Sequence, residues 1–140
     1  MSDHVPRFSE PITATIGPAG LDHWADIRAL HALAFRHLAG LTLDDGQIEA
    51  FAAHVREPEY TESLLTQDLL VAWHDARPVG TAGWTPDDRG ALARITSVCV
   101  SPLFTRLGVG RSLVAAAEER ARAAGFRSFS VRANLAAAGF

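Results

Sequence analysis

The order of apolar-periodic segments predicts an α+β fold of mixed α/β type, β-α-α-β-β-β-α-β-(α), with a hairpin at its centre. Three stretches carry that prediction. Between residues 69 and 100, β-prone apolar runs are separated by two turn signals. Residues 108–124 form an amphipathic helical pattern that Gly125 stops. After it, Phe129, Val131 and Ala133 alternate with Ser128, Ser130 and Arg132, as in a half-buried strand. A length of 140 residues gives one hydrophobic core and no room for a second.

Residues 1–10 read as a flexible tail, with Pro6 and Pro11 bracketing a polar stretch, and residues 11–140 as the single domain. Ile12 to Ile16 alternates in β-prone residues and halts at Gly17-Pro18, a short strand. Asp22 is a good N-cap for a helix with Trp24, Ile27, Leu30, Ala34 and Leu38 on one face and Gly40 at its end. A second helix starts near Asp44 or Asp45, places Ile48, Phe51, Ala52 and Val55 on one face, and stops before Pro58. The polar segment 58–67 receives no assignment. Leu69 to Trp73 is a continuous apolar run, expected of a strand covered on both faces. His74 to Pro78 is its turn, and Val79 to Thr85 the return strand, thinned by Gly80 and Gly83. Pro86 to Gly90 turns into a longer strand, Ala91 to Val100. In the following helix Val109, Leu113, Ala117, Ala121 and Ala124 are expected to point inward. Asn134 caps a last helix of about two turns.

Composition narrows the function classes. With 48% apolar and 21% charged residues the chain is an ordinary globular protein. No apolar run approaches the roughly 18 residues of a membrane span, and the N-terminus lacks a secretory pattern, so the expected location is cytoplasmic. The single Cys99 excludes an internal disulfide and a cysteine-based zinc site. Six histidines include no His-x-x-x-His pair, and no metal is expected. Charge is unevenly placed: residues 1–88 carry a net −9 and residues 89–140 a net +6. A basic half on an acidic protein suits an anionic small molecule better than a nucleic acid, and is equally compatible with a chance spread of solvated arginines.

The chemistry-bearing segment is Val98 to Arg111, VCVSPLFTRLGVGR. Gly108 and Gly110 lie between a strand and an amphipathic helix, and Gly110 falls in the first helical turn, where glycine is a poor helix former. Bare N–H donors at a helix N-terminus suit a pyrophosphate, and Arg106 and Arg111 flank them. Spacing alone is equally compatible with a tight turn that uses glycine for geometry. No Gly-Lys-Ser/Thr follows, and the third glycine and downstream acid of a dinucleotide fingerprint are missing.

Val-x-Val-x-Pro followed by x-x-Gly-x-Gly at a helix start resembles the acetyl-CoA-binding motif of the GNAT-type N-acetyltransferases. Asn134 to Phe140 is similar to their next motif, Asn-x-x-Ala-x-x-Phe-Tyr. The resemblance implies a central mixed sheet flanked by helices. It also implies that Val98 and Val100 offer backbone groups to the acetyl and pantetheine arm. Arg106, Leu107, Gly108, Val109, Gly110 and Arg111 would then cradle the pyrophosphate, and Asn134 would approach the cofactor from the next strand end. Thr105 departs from the pattern, where Arg or Gln is usual, and Arg106 sits one place later. The family's Tyr, which protonates the departing thiolate, and its last two strands would lie beyond Phe140, so the domain reads as C-terminally incomplete. A strand at 128–133 would then present an edge. Either a second copy covers it, as a homodimer, or the chain is a fragment of a longer protein.

The implied reaction is direct transfer from acetyl-CoA to a small-molecule or protein amine, with the Val98 N–H stabilising the developing oxyanion. No nucleic acid or membrane is an expected partner. The catalytic base stays unassigned. His74, Asp87, Asp88 and Glu62 are candidates by type only. Thr96, two residues before Val98, would share its strand face and could hold a water. Trp84 near a strand end could line an acceptor pocket, and Phe51, Ala52 and Val55 could edge it. An inactive GNAT-like module that binds acyl-CoA or dimerises is the competing reading, and a scaffold that binds no CoA the third.

Overall fold

A five-stranded sheet in the order β1-β2-β3-β4-β5 organises the computed structural model, which describes residues 14–39 and 43–131. The elements are β1 (Thr15–Pro18), α1 (Trp24–Ala39), α2 (Asp45–Val55), α3 (Pro58–Leu65), β2 (Asp68–His74), β3 (Arg77–Pro86), β4 (Ala93–Val100), α4 (Val109–Ala123) and β5 (Phe129–Val131). Strands β1 to β4 pair antiparallel, and β5 pairs parallel to β4, which makes the sheet mixed. The expected tail, the start of the first strand at Ile12, Gly40, Ala133, Asn134 and the last helix lie outside the described residues.

Helix starts follow their local chemistry. Asp44 caps α2 in a reciprocal box: its carboxylate accepts from the Gln47 N–H at 2.8 Å, and the Asp44 N–H donates to Gln47 Oε1 at 3.0 Å. The unassigned segment 58–67 is largely the helix α3. Pro58 sits at its first position, where a missing N–H costs nothing, so the proline opens a helix as well as closing the one before.

Each face of the sheet carries its own core. On one side Val109, Leu113 and Ala117 of α4 meet Leu70, Ala72, Val79, Ala82, Ile95, Val98 and Val100. On the other, Ile27 and Leu64 pack on Leu69 and Val71, while Leu30 and Ala34 cover Cys99. Gly80 lets α4 come close: a Cβ there would stand 2.8 Å from Leu113 Cδ1 and 2.9 Å from the Cys99 carbonyl oxygen. Ala124, expected inward, is exposed at the C-cap of α4, because it lies past the last helical residue where the chain turns away at Gly125. Val131 is also 49% exposed, and only Phe129 of β5 packs against the core.

The pairing of β3 with β4 is broken once. Thr81 stands opposite Cys99, but Gly83 stands opposite Thr96, so β4 carries one extra residue across from Ala82. The irregularity coincides with Ser97 at φ +56°.

Candidate functional site

β4 ends in a short turn that delivers the chain to α4. Ser101 Oγ accepts from the Leu103 N–H, and Pro102 opens a 3-10 turn through Phe104. Residues 105–108 then reverse direction with Arg106 at φ +66° and Gly108 at φ +87°. Gly108 is the N-cap of α4 and brings no side-chain cap. The first intrahelical bond runs from the Ser112 N–H to the Gly108 carbonyl at 3.0 Å. The N–H groups of Val109, Gly110 and Arg111 precede it and have no acceptor within the helix, and the helix dipole adds positive potential there.

A cavity of about 600 Å³ opens at this helix start. Val100, Arg106, Leu107, Gly108, Gly110 and Arg111 all line it, so six of the nine residues singled out in the sequence converge on one concavity. Val98 and Val109 turn their side chains into the α4-side core, 2% and 3% exposed, and can reach the cavity only through their backbone. Asn134 lies outside the described residues. Thr105, Val114, Ala115, Glu118 and Val131 also line the cavity and are not among those nine. The helical spacing of 111, 114, 115 and 118 could have found three of its walls.

Backbone direction along β4 follows from two bonds. The Ser101 N–H donates to the Val79 carbonyl of β3 at 2.8 Å, and the Ala93 N–H donates to the Ser128 carbonyl beside β5 at 2.9 Å. Alternation from Ser101 turns Cys99 toward β3 and sends Val98 and Val100 the other way. Counting from Ala93 without interruption would send Ser97 and Cys99 outward instead. The extra residue at Ser97 resets the count. Pairing with β5 reaches only Ile95 opposite Val131, so Val98 and Val100 lie beyond the last described partner.

Ser97 is held from two sides. Its carbonyl accepts from Thr81 Oγ1 at 2.8 Å, and Thr81 Oγ1 meets His31 Nε2 at 2.8 Å. His31 Nδ1 meets the Tyr60 hydroxyl at 2.6 Å. His31 and Thr81 are buried, and burial lowers the His31 pKa to about 4. The Tyr60 hydroxyl is raised by burial and then by nearby Cys99, whose own thiol burial pushes up to about 12. From the other side Gln67 Nε2 donates to Ser97 Oγ at 2.9 Å, and Gln67 Oε1 accepts from Thr96 Oγ1 at 2.7 Å.

The Acetyltransferase (GNAT) family profile matches residues 24–140. The chain belongs to the GNAT acetyltransferase family. Among solved structures, a GCN5-related N-acetyltransferase from Rhodopseudomonas palustris is 28% identical, covers 96% of this chain and 79% of its own, and superposes with a TM-score of 0.75. PaiA N-acetyltransferase from Thermoplasma acidophilum, solved with coenzyme A, is 14% identical over 86% of this chain and 79% of its own, with a TM-score of 0.71. A GNAT acetyltransferase from Brucella melitensis, solved with acetyl-CoA, is 21% identical over 87% and 77%, with a TM-score of 0.66. Those two establish the GNAT fold alone. No curated protein matches.

Several lesser candidates take structural places within this GNAT domain. Thr96 does not share a face with Val98: the extra residue puts Thr96 with Gln67 and Val98 with α4. The Trp84 indole donates to Asp68 at 2.9 Å and packs against Phe126. Asp87 accepts from the Ala91 and Leu92 N–H groups and shapes its turn. Asp88 and Glu62 are exposed, and His74 packs against Phe104 at the hairpin. Ala52 and Val55 are core, with Phe51 stacked on Phe35. Among the described residues no group of three His, Cys, Asp or Glu could hold a metal ion. No described helix is long and apolar enough to cross a membrane.

Proposed function

We propose that this chain is an N-acetyltransferase that takes acetyl from acetyl-CoA and passes it to an amine, on a small molecule or a protein, by direct attack. The observation that carries the reading is the cavity of about 600 Å³ where the α4 N-terminus, two arginines and the end of β4 at Val100 meet. Fit with the ligand rests on the same place. Gly108 and Gly110 put no side chain between the backbone donors and a pyrophosphate, and Arg106 and Arg111 supply opposite charge. Structures of this fold solved with coenzyme A and acetyl-CoA add support.

Bound there, acetyl-CoA supplies an acyl group activated as a thioester. The chain supplies position and polarity. The N–H groups of Val109, Gly110 and Arg111 hold the pyrophosphate. Val100 extends the β4 ladder to an amide of the pantetheine arm. The Val98 N–H donates to the acetyl carbonyl oxygen, whose negative charge grows as the amine attacks; one such donor is worth about 100- to 1,000-fold in rate. The amine must be neutral to attack, and water carries its proton away, since the titratable candidates occupy turns or open surface.

A melting curve with and without acetyl-CoA tests this reading, together with thiol release over a panel of amines. Ligand at a hundred times its dissociation constant adds about 2.7 kcal/mol, a rise of several degrees for a domain of this size. A rise with amine-dependent thiol release is the expected result. A rise without release leaves a binding module, and a cooperative melt that ignores acetyl-CoA overturns the reading.

A further inference from the structure

A chain of three side chains from three elements ends on one carbonyl. The Thr81 hydroxyl has a single hydrogen and donates it to the Ser97 carbonyl, so it can only accept from His31. Nε2 of His31 therefore carries the proton, and in the neutral ring Nδ1 accepts from the Tyr60 hydroxyl. The direction of the whole chain is fixed: Tyr60 to His31 to Thr81 to Ser97. It ends on an amide carbonyl, which takes up no proton, so it cannot relay one to or from a substrate. What it can do is orient a peptide plane.

The Ser97–Val98 peptide is trans, because the described chain has no cis bonds. In a trans peptide the C=O and the N–H point in opposite directions. A hydroxyl that fixes the Ser97 oxygen on the α1 side of β4 thus aims the Val98 N–H at the opposite side, away from Thr81. We infer that Thr81 and His31, with Tyr60 behind them, are positioning residues that hold the Ser97–Val98 peptide so that the Val98 N–H faces the acetyl carbonyl. The inference rests on the acetyl-transfer reading above. A second feature agrees with it: Gln67 anchors the Ser97 side chain independently, passing over Gly83, where a Cβ would collide with Gln67 Oε1. A non-glycine residue at positive φ persists only where its surroundings over-determine it. Here both its carbonyl and its side chain are tied. An apolar pair at positions 31 and 81 would fill the same space with no polar atoms to satisfy.

The test compares wild type with Thr81→Val, Thr81→Ser and Tyr60→Phe. Three readings are taken: the acetyl-CoA to CoA affinity ratio, kcat against KM, and the Val98 amide signal in a ¹⁵N spectrum. A donor aimed at the acetyl carbonyl distinguishes acetyl-CoA from CoA, whereas the pyrophosphate cradle does not. The expected result for Thr81→Val is an unchanged CoA affinity, a lost preference for acetyl-CoA, a shifted Val98 amide and a kcat at least about tenfold lower. Thr81→Ser restores all of these. Should Thr81→Val fail to fold, Tyr60→Phe, which removes only the far end of the chain, is expected to move the same readouts in the same direction by less. Equal losses of CoA and acetyl-CoA affinity, or a kcat within twofold of wild type, overturn the positioning role. Wild type that binds neither ligand overturns the acetyl-transfer reading, and the inference with it.

Discussion

His31 shows at residue scale how an ordinary side chain becomes a pH liability. The ring sits between Tyr60 of α3 and Thr81 of β3, with no carboxylate among its described hydrogen-bond partners. Burial alone lowers its pKa from 6.5 to about 4. The unfolded chain therefore takes up this proton at a higher pH than the folded one. Stability is full above pH 6.5 and falls as pH drops toward about 4, by about 3 kcal/mol across the window. Urea unfolding at pH 7.5 and 4.5 checks it: wild type is expected to lose that amount, and His31→Gln, which cannot titrate, to show a much shallower fall. The sequence offered no pointer to this residue, since its partners are 29 and 50 positions away. Ser97 was equally hidden. A left-handed backbone, at a cost of about 1–3 kcal/mol, is signalled in sequence by glycine, and serine carries no such mark. That is why strict alternation places Thr96 on the wrong face.

Elements were legible wherever hydrophobic period and punctuation agreed. The start of α2 at Asp44, the two strands around the 74–77 turn and the inward stripe of Val109, Leu113, Ala117 and Ala121 all follow from that agreement. Helix α3 escapes the same reading because its eight residues bury little beyond Leu64 and begin with a proline, which in sequence marks the end of the helix before it. The tie between α4 and β2 was also out of reach. Arg120 grips Asp68 through two bonds of 2.6 and 3.0 Å, and the Trp84 indole donates to the same carboxylate. The Arg120 bond is the largest cause of the lowered Asp68 pKa. Because the folded pKa is depressed, this contribution is present above the usual 3.8 and is lost as pH falls below it. Both side chains are partly exposed, at 29% and 48%, so solvent screens the pair. Asp68→Asn is expected to cost about 1 kcal/mol and to shift Trp84 fluorescence, with CoA affinity unchanged. A loss of CoA binding would mean that the position of α4 depends on this pair.

At the scale of the molecule, the charge asymmetry acquires an address. The net +6 of residues 89–140 is spread over eight arginines, but the fold uses them differently. Arg120 is committed to Asp68, and Arg122 lies over the Phe129 ring and 3.6 Å from Glu119. Arg106 and Arg111 instead stand exposed at the cavity that opens on the α4 N-terminus. A motif read as a phosphate cradle and a basic half read as an attraction to anions thus meet in one place, although neither required the other. If these two guanidiniums contact the ligand phosphates, affinity must fall with ionic strength, because exposed charges are screened over about 10 Å at 0.1 M salt. Backbone donors and pantetheine contacts are far less sensitive. Wild-type acetyl-CoA affinity is therefore expected to weaken several-fold between about 0.05 and 0.5 M NaCl. Arg106→Ala with Arg111→Ala should start about tenfold weaker at low salt and lose most of that slope. Charge elsewhere on the molecule would leave the slope of the double variant equal to that of wild type. The comparison separates a local contact from a field of the whole domain, and only the first gives Arg106 the role that Thr105 leaves open.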